Sequence, residues 1–202
     1  MFSVKKLFLM TRQYPVECTV SAAGCIGGAL MILVLPLPWL CAVILAATIH
    51  ESCHLILLKL CDVSVHRIRI GIHGAAIETA ALSPVQELLC AAAGPMGSLL
   101  CFVFAKIFPA LALCALVQGI YNLLPVYPLD GGRIVRSMAT LLMPRYTERI
   151  CRAVSVCTVI LINLICAVLY LRTALPCFLL IGGYFILTAT LCRKTPCKDS
   201  SY

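Results

Sequence analysis

Charge is scarce in this chain. Of 202 residues only 12% are Asp, Glu, Lys or Arg, against roughly a quarter in a soluble domain. Hydrophobic residues make up 62% and the mean hydropathy is +1.03, which excludes a water-soluble globule and implies a membrane protein. Carboxylates number only eight, so few side chains are available for acid–base chemistry or for a hard metal ligand. The net charge is +8, but no Lys/Arg run interleaves with aromatics, and nucleic acid is not an expected partner. The fourteen cysteines include no Cys-x-x-Cys pair, so a structural zinc knuckle is not expected either. Most of them lie in apolar stretches, Cys90, Cys101, Cys114, Cys157 and Cys166 among them, where a free thiol behaves as a small hydrophobe. No internal repeat and no low-complexity tract is present.

What the chain has is long apolar runs. Cys18 to His50 is 33 residues without Asp, Glu, Lys or Arg, more than the ~20 one crossing needs. Pro36 and Pro38 interrupt the run, because neither can continue a helix without losing a hydrogen bond. Spans are therefore expected at 17–35 and 39–60, with Trp39 at an interface, and further spans at 84–106, 109–126, 150–171 and 174–192. The amino terminus, with Lys5, Lys6 and Arg12, is similar to the start of a signal peptide. The apolar run after it is too long and carries no convincing cleavage site, so a retained first helix is expected. The expected fold class is an α-helical polytopic membrane protein with six transmembrane helices, forming one domain over 1–202. With six spans, fourteen of the sixteen Lys and Arg fall on one side and only Lys106 and Arg172 on the other. That bias predicts an integral membrane protein with both termini cytoplasmic.

Between the second and third spans the pattern changes. Ile68, Ile70 and Ile72 alternate with Arg67 and Arg69, a period of two, and Gly71 and Gly74 suit turns. A small strand or β-hairpin is expected at the cytoplasmic surface. It is either a connecting loop or a sheet edge that accepts an extended substrate.

The chemistry concentrates in His50-Glu51-Ser52-Cys53-His54. Histidines four apart project from one helical face, and two neutral imidazoles so placed reach one zinc ion. Glu51 beside them has the position of a metalloprotease general base. The motif lies about ten residues from either end of an apolar span, roughly 15 Å from each interface. Ionisable groups at that depth cost several kcal/mol unless they are partnered or hydrated, so a purely structural cluster is a poor explanation. A catalytic zinc needs a third protein ligand. Asp130 is the best placed of the few carboxylates: it ends Asn122-Leu-Leu-Pro-Val-Tyr-Pro-Leu-Asp130 and precedes Gly131 and Gly132. Broken backbone at membrane depth is tolerated where it lines a cavity or water. Alternatively Asp130 caps a helix that starts at Gly131.

The paired motifs, His-Glu-x-x-His in a membrane span and Asn-x-x-Pro-x-x-Pro-Leu-Asp-Gly-Gly-Arg downstream, resemble the site-2 protease family of intramembrane metalloproteases. The layout from about Leu40 to Arg133 is most similar to the branch of stage IV sporulation protein FB. The resemblance implies His50, His54 and Asp130 as ligands of one zinc ion per chain and Glu51 as the catalytic base. It also implies that Asn122 and Pro125 hold substrate, that Gly71–Glu78 is a re-entrant segment, and that Gly94-Pro95 is a turn in the third span. The implied partner is a membrane-associated pro-protein, for example a sporulation pro-sigma factor, within a lipid bilayer and with regulatory membrane proteins. Two positions depart from the family pattern. Cys53 stands where members carry a small residue, and is expected to pack rather than ligate. Ser98 stands where many members carry Asn, and is given no site role. No PDZ or CBS domain is expected. Two other functions use the same cluster, a metal or ion transporter and an inactive membrane scaffold, and an intact Glu51 argues against the latter.

Overall fold

The computed structural model describes residues 17–71, 74–175 and 181–186. The chain divides into two compact units at Ile120/Tyr121. The first begins with β1 (Glu17–Val20), α1 (Ala22–Val34) and α2 (Leu37–Leu60). It continues with β2 (Val65–Gly71), β3 (Gly74–Thr79), α3 (Pro84–Leu100) and α4 (Pro109–Asn122). The second contains α5 (Asp130–Leu142), α6 (Thr147–Thr173) and the helical residues 181–186.

Among the described residues, three helical segments are long and apolar enough to cross a membrane: Leu37–Leu60, Pro84–Phe104 and Pro144–Thr173. They coincide with the second, third and fifth expected spans. The first differs from expectation. Residues 17–20 are a strand, and the Ser21 side chain accepts from Gly24 N–H at 3.0 Å, so the helix starts only after the cap. The 13 residues of α1 and the 14 of α4 are shorter than the ~20 that a crossing needs. The last expected span, 174–192, lies mostly outside the described residues. The membrane-capable helices expose large apolar side chains, Ile44, Ile56, Val103 and Leu171 among them, as a lipid-facing surface requires.

The strands form one sheet in the order β1-β2-β3, with β1 parallel to β2 and β2 antiparallel to β3. The hairpin between α2 and α3 was legible from its alternation; the parallel partner from residues 17–20 was not. Arg67 lies opposite both Glu17 and Glu78. It bonds Glu17 at 2.7 Å, and Arg69 bonds Glu78 at 2.8 Å. The charged face read from the sequence is thus a cross-strand ion-pair ladder. Each such exposed pair contributes up to about 1 kcal/mol, enough to favour this register over its neighbours. Of the expected Gly71–Glu78 segment, Gly71 ends β2 and Gly74 to Glu78 lie in β3, with Gly71 paired to Gly74, while residues 72 and 73 lie outside the described residues.

α2 buries one stripe, Ala42, Ala46, His50, His54 and Leu58. Their spacing of four is the ridge that packs into a neighbouring helix. α3 offers a small-residue face, with Ala91, Gly94, Gly97 and Ser98 buried, and such faces let membrane helices approach closely. Ala46 also packs with Cys101 and with Ala115 of α4. The start of α3 is set by a capping box: Ser83 Oγ accepts from Gln86 N–H at 3.3 Å, and Gln86 Oε1 accepts from Ser83 N–H at 3.0 Å. Ser83→Ala removes one half of this exchange. It should destabilise the folded protein by about 1 kcal/mol, read as a lower thermal-unfolding midpoint in detergent.

In the second unit, Val126, Leu129, Val159 and Phe185 form a core. Tyr121 and Tyr184 share a hydroxyl–hydroxyl hydrogen bond of 3.0 Å, and Ser155 Oγ donates to the Pro125 carbonyl at 3.3 Å. These contacts hold the irregular 123–129 segment against α6 and the 181–186 helix.

Candidate metal centre

α2 brings His50 and His54 into the interior, 2% and 5% exposed. Their Nε2 atoms lie 3.3 Å apart, close enough for both to ligate one ion. Each ring is held from behind by α3. His54 Nδ1 lies 2.7 Å from the Cys90 carbonyl oxygen, and His50 Nδ1 lies 2.9 Å from Ser98 Oγ. A carbonyl only accepts, so in the neutral ring His54 Nδ1 carries the proton and Nε2 presents its lone pair. This is the arrangement in which histidine binds metal, with the other ring nitrogen donating to a carbonyl.

Room at the Nε2 atoms comes from Gly94. A Cβ built there would overlap His54 Nε2 and stand 2.7 Å from His50 Nε2. Pro95 follows inside the helix, where its missing N–H removes the bond to the carbonyl four residues earlier. Gly94-Pro95 is therefore a glycine-lined, proline-weakened turn within α3 and not a break between helices. Glu51 follows His50 on α2 and is part-buried. Cys53 is also part-buried, and its Sγ fills the space where a Gly97 side chain would lie, which is a packing role.

Asp130 is the first residue of α5 and is 7% exposed. The N-cap is Leu129, which makes no side-chain cap bond, so Asp130 does not cap a helix beginning at Gly131. In the first turn its carboxylate benefits from the positive end of the helix. Arg133 Nη1 lies 3.8 Å from Asp130 Oδ1. Gly131 and Gly132 are needed for close approach rather than for a left-handed turn. A Cβ on Gly131 would strike the Leu123 and Leu124 backbone, and one on Gly132 would stand 2.5 Å from Tyr127 N. Asn122 closes α4, and Asn122 and Pro125 are both part-buried.

His50 and His54 in the first unit and Asp130 in the second are each buried. Two imidazole nitrogens and a carboxylate oxygen are a donor set compatible with a metal ion. The glycine-lined space at the Nε2 atoms, with the Nδ1 atoms held away from it, fits a metal bound by the two histidines.

Sequence reasoning missed Ser98. It sits four residues after Gly94 and eight after Cys90, on the same face of α3. A hydroxyl in an apolar span was the available signal, but its partner across the helix pair was not readable.

Comparisons with known proteins bear on the fold and on one stretch of the chain. Among curated proteins no relative matches the chain. The chain is similar in structure to the Site-2 Protease from Methanocaldococcus jannaschii, with a TM-score of 0.59 at 18% identity, over 100% of this chain and 96% of that one. Residues 97–165 match Peptidase family M50, a stretch that includes Asn122 to Arg133 but not His50 to His54.

Proposed function

We propose that this protein is an intramembrane zinc metalloprotease of the site-2 protease type, holding one zinc ion per chain through His50, His54 and Asp130. The observation that carries the reading is the pair of buried imidazoles whose Nδ1 atoms are engaged by α3 while their Nε2 atoms converge. The M50 match and the fold similarity support the same reading. When bound, the zinc ion supplies Lewis acidity towards a peptide carbonyl and lowers the pKa of water.

The residues of the chain do the rest. Glu51 accepts the proton of the attacking water and returns it to the leaving amine. Asn122 and Pro125 hold the substrate backbone beside the site. The substrate is a membrane-associated pro-protein whose helix unwinds near the cytoplasmic face, because an intact helix hides its carbonyls. The sheet edge at β3 would hold the unwound segment extended. The excess of Lys and Arg on one side of six spans supports cytoplasmic termini, and the motif layout supports the sporulation branch, with a pro-sigma factor as the substrate class.

The test is metal content and proteolysis measured together. Purified wild-type protein should carry one zinc ion per chain and cut a co-expressed membrane pro-protein, with the cut mapped by mass spectrometry. Asp130→Asn keeps the shape of the side chain but removes an anionic ligand. It should lower zinc occupancy at least about tenfold under chelator competition, of the order seen when metal-site groups are lost. Undiminished occupancy would point to a different third ligand, and a wild-type protein without zinc or proteolysis would overturn the proposal.

A further inference from the structure

α6 carries its charge at its two ends. From Ala153 to Leu171 there are 19 residues without Asp, Glu, Lys or Arg. At 1.5 Å per residue the run is roughly 28 Å long, close to the thickness of the hydrocarbon core of a bilayer. Arg152 and Arg172 therefore mark the two edges of that core. The ends differ. Past Arg172 the helix stops at Thr173. Before Arg152 stand Arg149 and Arg145, so three arginines fall within eight residues, with Glu148 the one carboxylate among them. All three are exposed. Glu148 stands four residues before Arg152, a spacing at which a helical ion pair can form. Among the described residues, however, none of the three arginines is ion-paired.

The turn that leads into α6 adds a second feature. α5 ends at Leu142, and a single 3-10 turn, Pro144–Tyr146, joins it to α6. Leu142 is 74% exposed, Met143 56% and Tyr146 53%. Large apolar side chains thus stand beside the unpaired arginines at the level where α6 leaves the hydrocarbon. A segment of this kind dips its apolar groups into the acyl boundary and leaves its cations among the headgroups.

We infer that the corner between α5 and α6 is a binding surface for anionic phospholipid. Arg145, Arg149 and Arg152 pair with headgroup phosphate, and Leu142, Met143 and Tyr146 lie against the acyl chains. A guanidinium suits this partner, because it stays charged at physiological pH and binds two phosphate oxygens at once. Net charge selects the lipid. A zwitterionic headgroup brings a cation of its own towards three arginines, whereas an anionic headgroup brings none. The corner needs neither metal nor proteolysis for this, so it stands or falls separately from the metal site.

The test is equilibrium binding of tail-labelled phosphatidylglycerol and phosphatidylcholine, with identical acyl chains, to the purified full chain in detergent micelles. Wild type should prefer phosphatidylglycerol by at least about tenfold, the scale expected of several arginines near an anionic headgroup. Replacing Arg145, Arg149 and Arg152 together by Gln should remove most of that preference and leave phosphatidylcholine binding unchanged. The corresponding triple Lys variant should keep most of it, and Arg172→Gln, at the other end of the span, should keep all of it. Leu142→Gln with Met143→Gln should weaken both lipids alike. Inorganic phosphate at equal concentration should not displace the lipid, because it lacks the acyl chains. If the triple Gln variant fails to unfold cooperatively, the wild-type preference in roughly 1 M salt decides, since screening at that strength should abolish it. Equal affinity of wild type for the two lipids, a preference in the folded triple Gln variant within twofold of wild type, a preference that persists in high salt, or displacement by inorganic phosphate overturns the assignment.

Discussion

Gly94→Ala should empty the metal site while leaving every proposed ligand in the sequence. The added methyl would overlap His54 Nε2 and lie 2.6 Å from His54 Cε1 and 2.7 Å from His50 Nε2. These atoms are not free ends that swing aside, because the opposite edges of both rings are held by the Cys90 carbonyl and Ser98. Either the rings leave those partners or α2 and α3 move apart. Overpacking a tight core of this kind costs about 1–3 kcal/mol. Falling on the metal-bound state, that is roughly one to two orders of magnitude in affinity. Zinc per chain after dialysis against a chelator should fall accordingly, and proteolysis with it. Gly28→Ala is the control, since a Cβ there meets nothing within 4 Å. Its helix should be slightly more stable, with metal content unchanged. Full occupancy in Gly94→Ala would show that the space between the rings is not where metal binds.

Glu51→Gln should separate metal binding from chemistry. Glutamine has nearly the shape of glutamate but no basicity at neutral pH, so His50, His54 and Asp130 keep their surroundings. Metal content should stay at the wild-type level. The rate of peptide cleavage should fall by about 10²–10⁴, the range expected for loss of a general acid–base group. The decisive measurement is cleavage of one membrane pro-protein by both proteins, reconstituted in lipid at matched zinc occupancy. Turnover within twofold of wild type would remove Glu51 from its assigned role. Paired with Gly94→Ala, the variant gives opposite signatures: metal kept with activity lost, against metal and activity lost together.

Much of this architecture is local and therefore readable along the chain. The spacing of His50 and His54 puts both on one face of any helix, and an apolar run of this length makes α2 a helix that can cross a bilayer. The Arg67/Arg69 alternation places both on one face of a strand, and the structure pairs them with Glu17 and Glu78. Pro125, Pro128 and the glycines after Asp130 mark a broken backbone, and α5 indeed starts at Asp130.

Other features depend on which elements meet. The strand at Glu17–Val20 reads as the start of an apolar span, because its pairing edge lies some fifty residues away on β2. Ser98 reads as a polar residue without a role, because its meaning lies in a partner on another helix. By itself the sequence determined the histidine pair and the membrane character, since these follow from residue type and helical period, and it singled out Asp130 as a candidate third ligand through the prolines and glycines around it and the motif they form. Only the tertiary structure decided which groups hold the imidazoles from behind and where Gly94 leaves room between them. Those facts come from the register in which α3 packs on α2, and a backbone carbonyl such as that of Cys90 has no signature in the sequence at all.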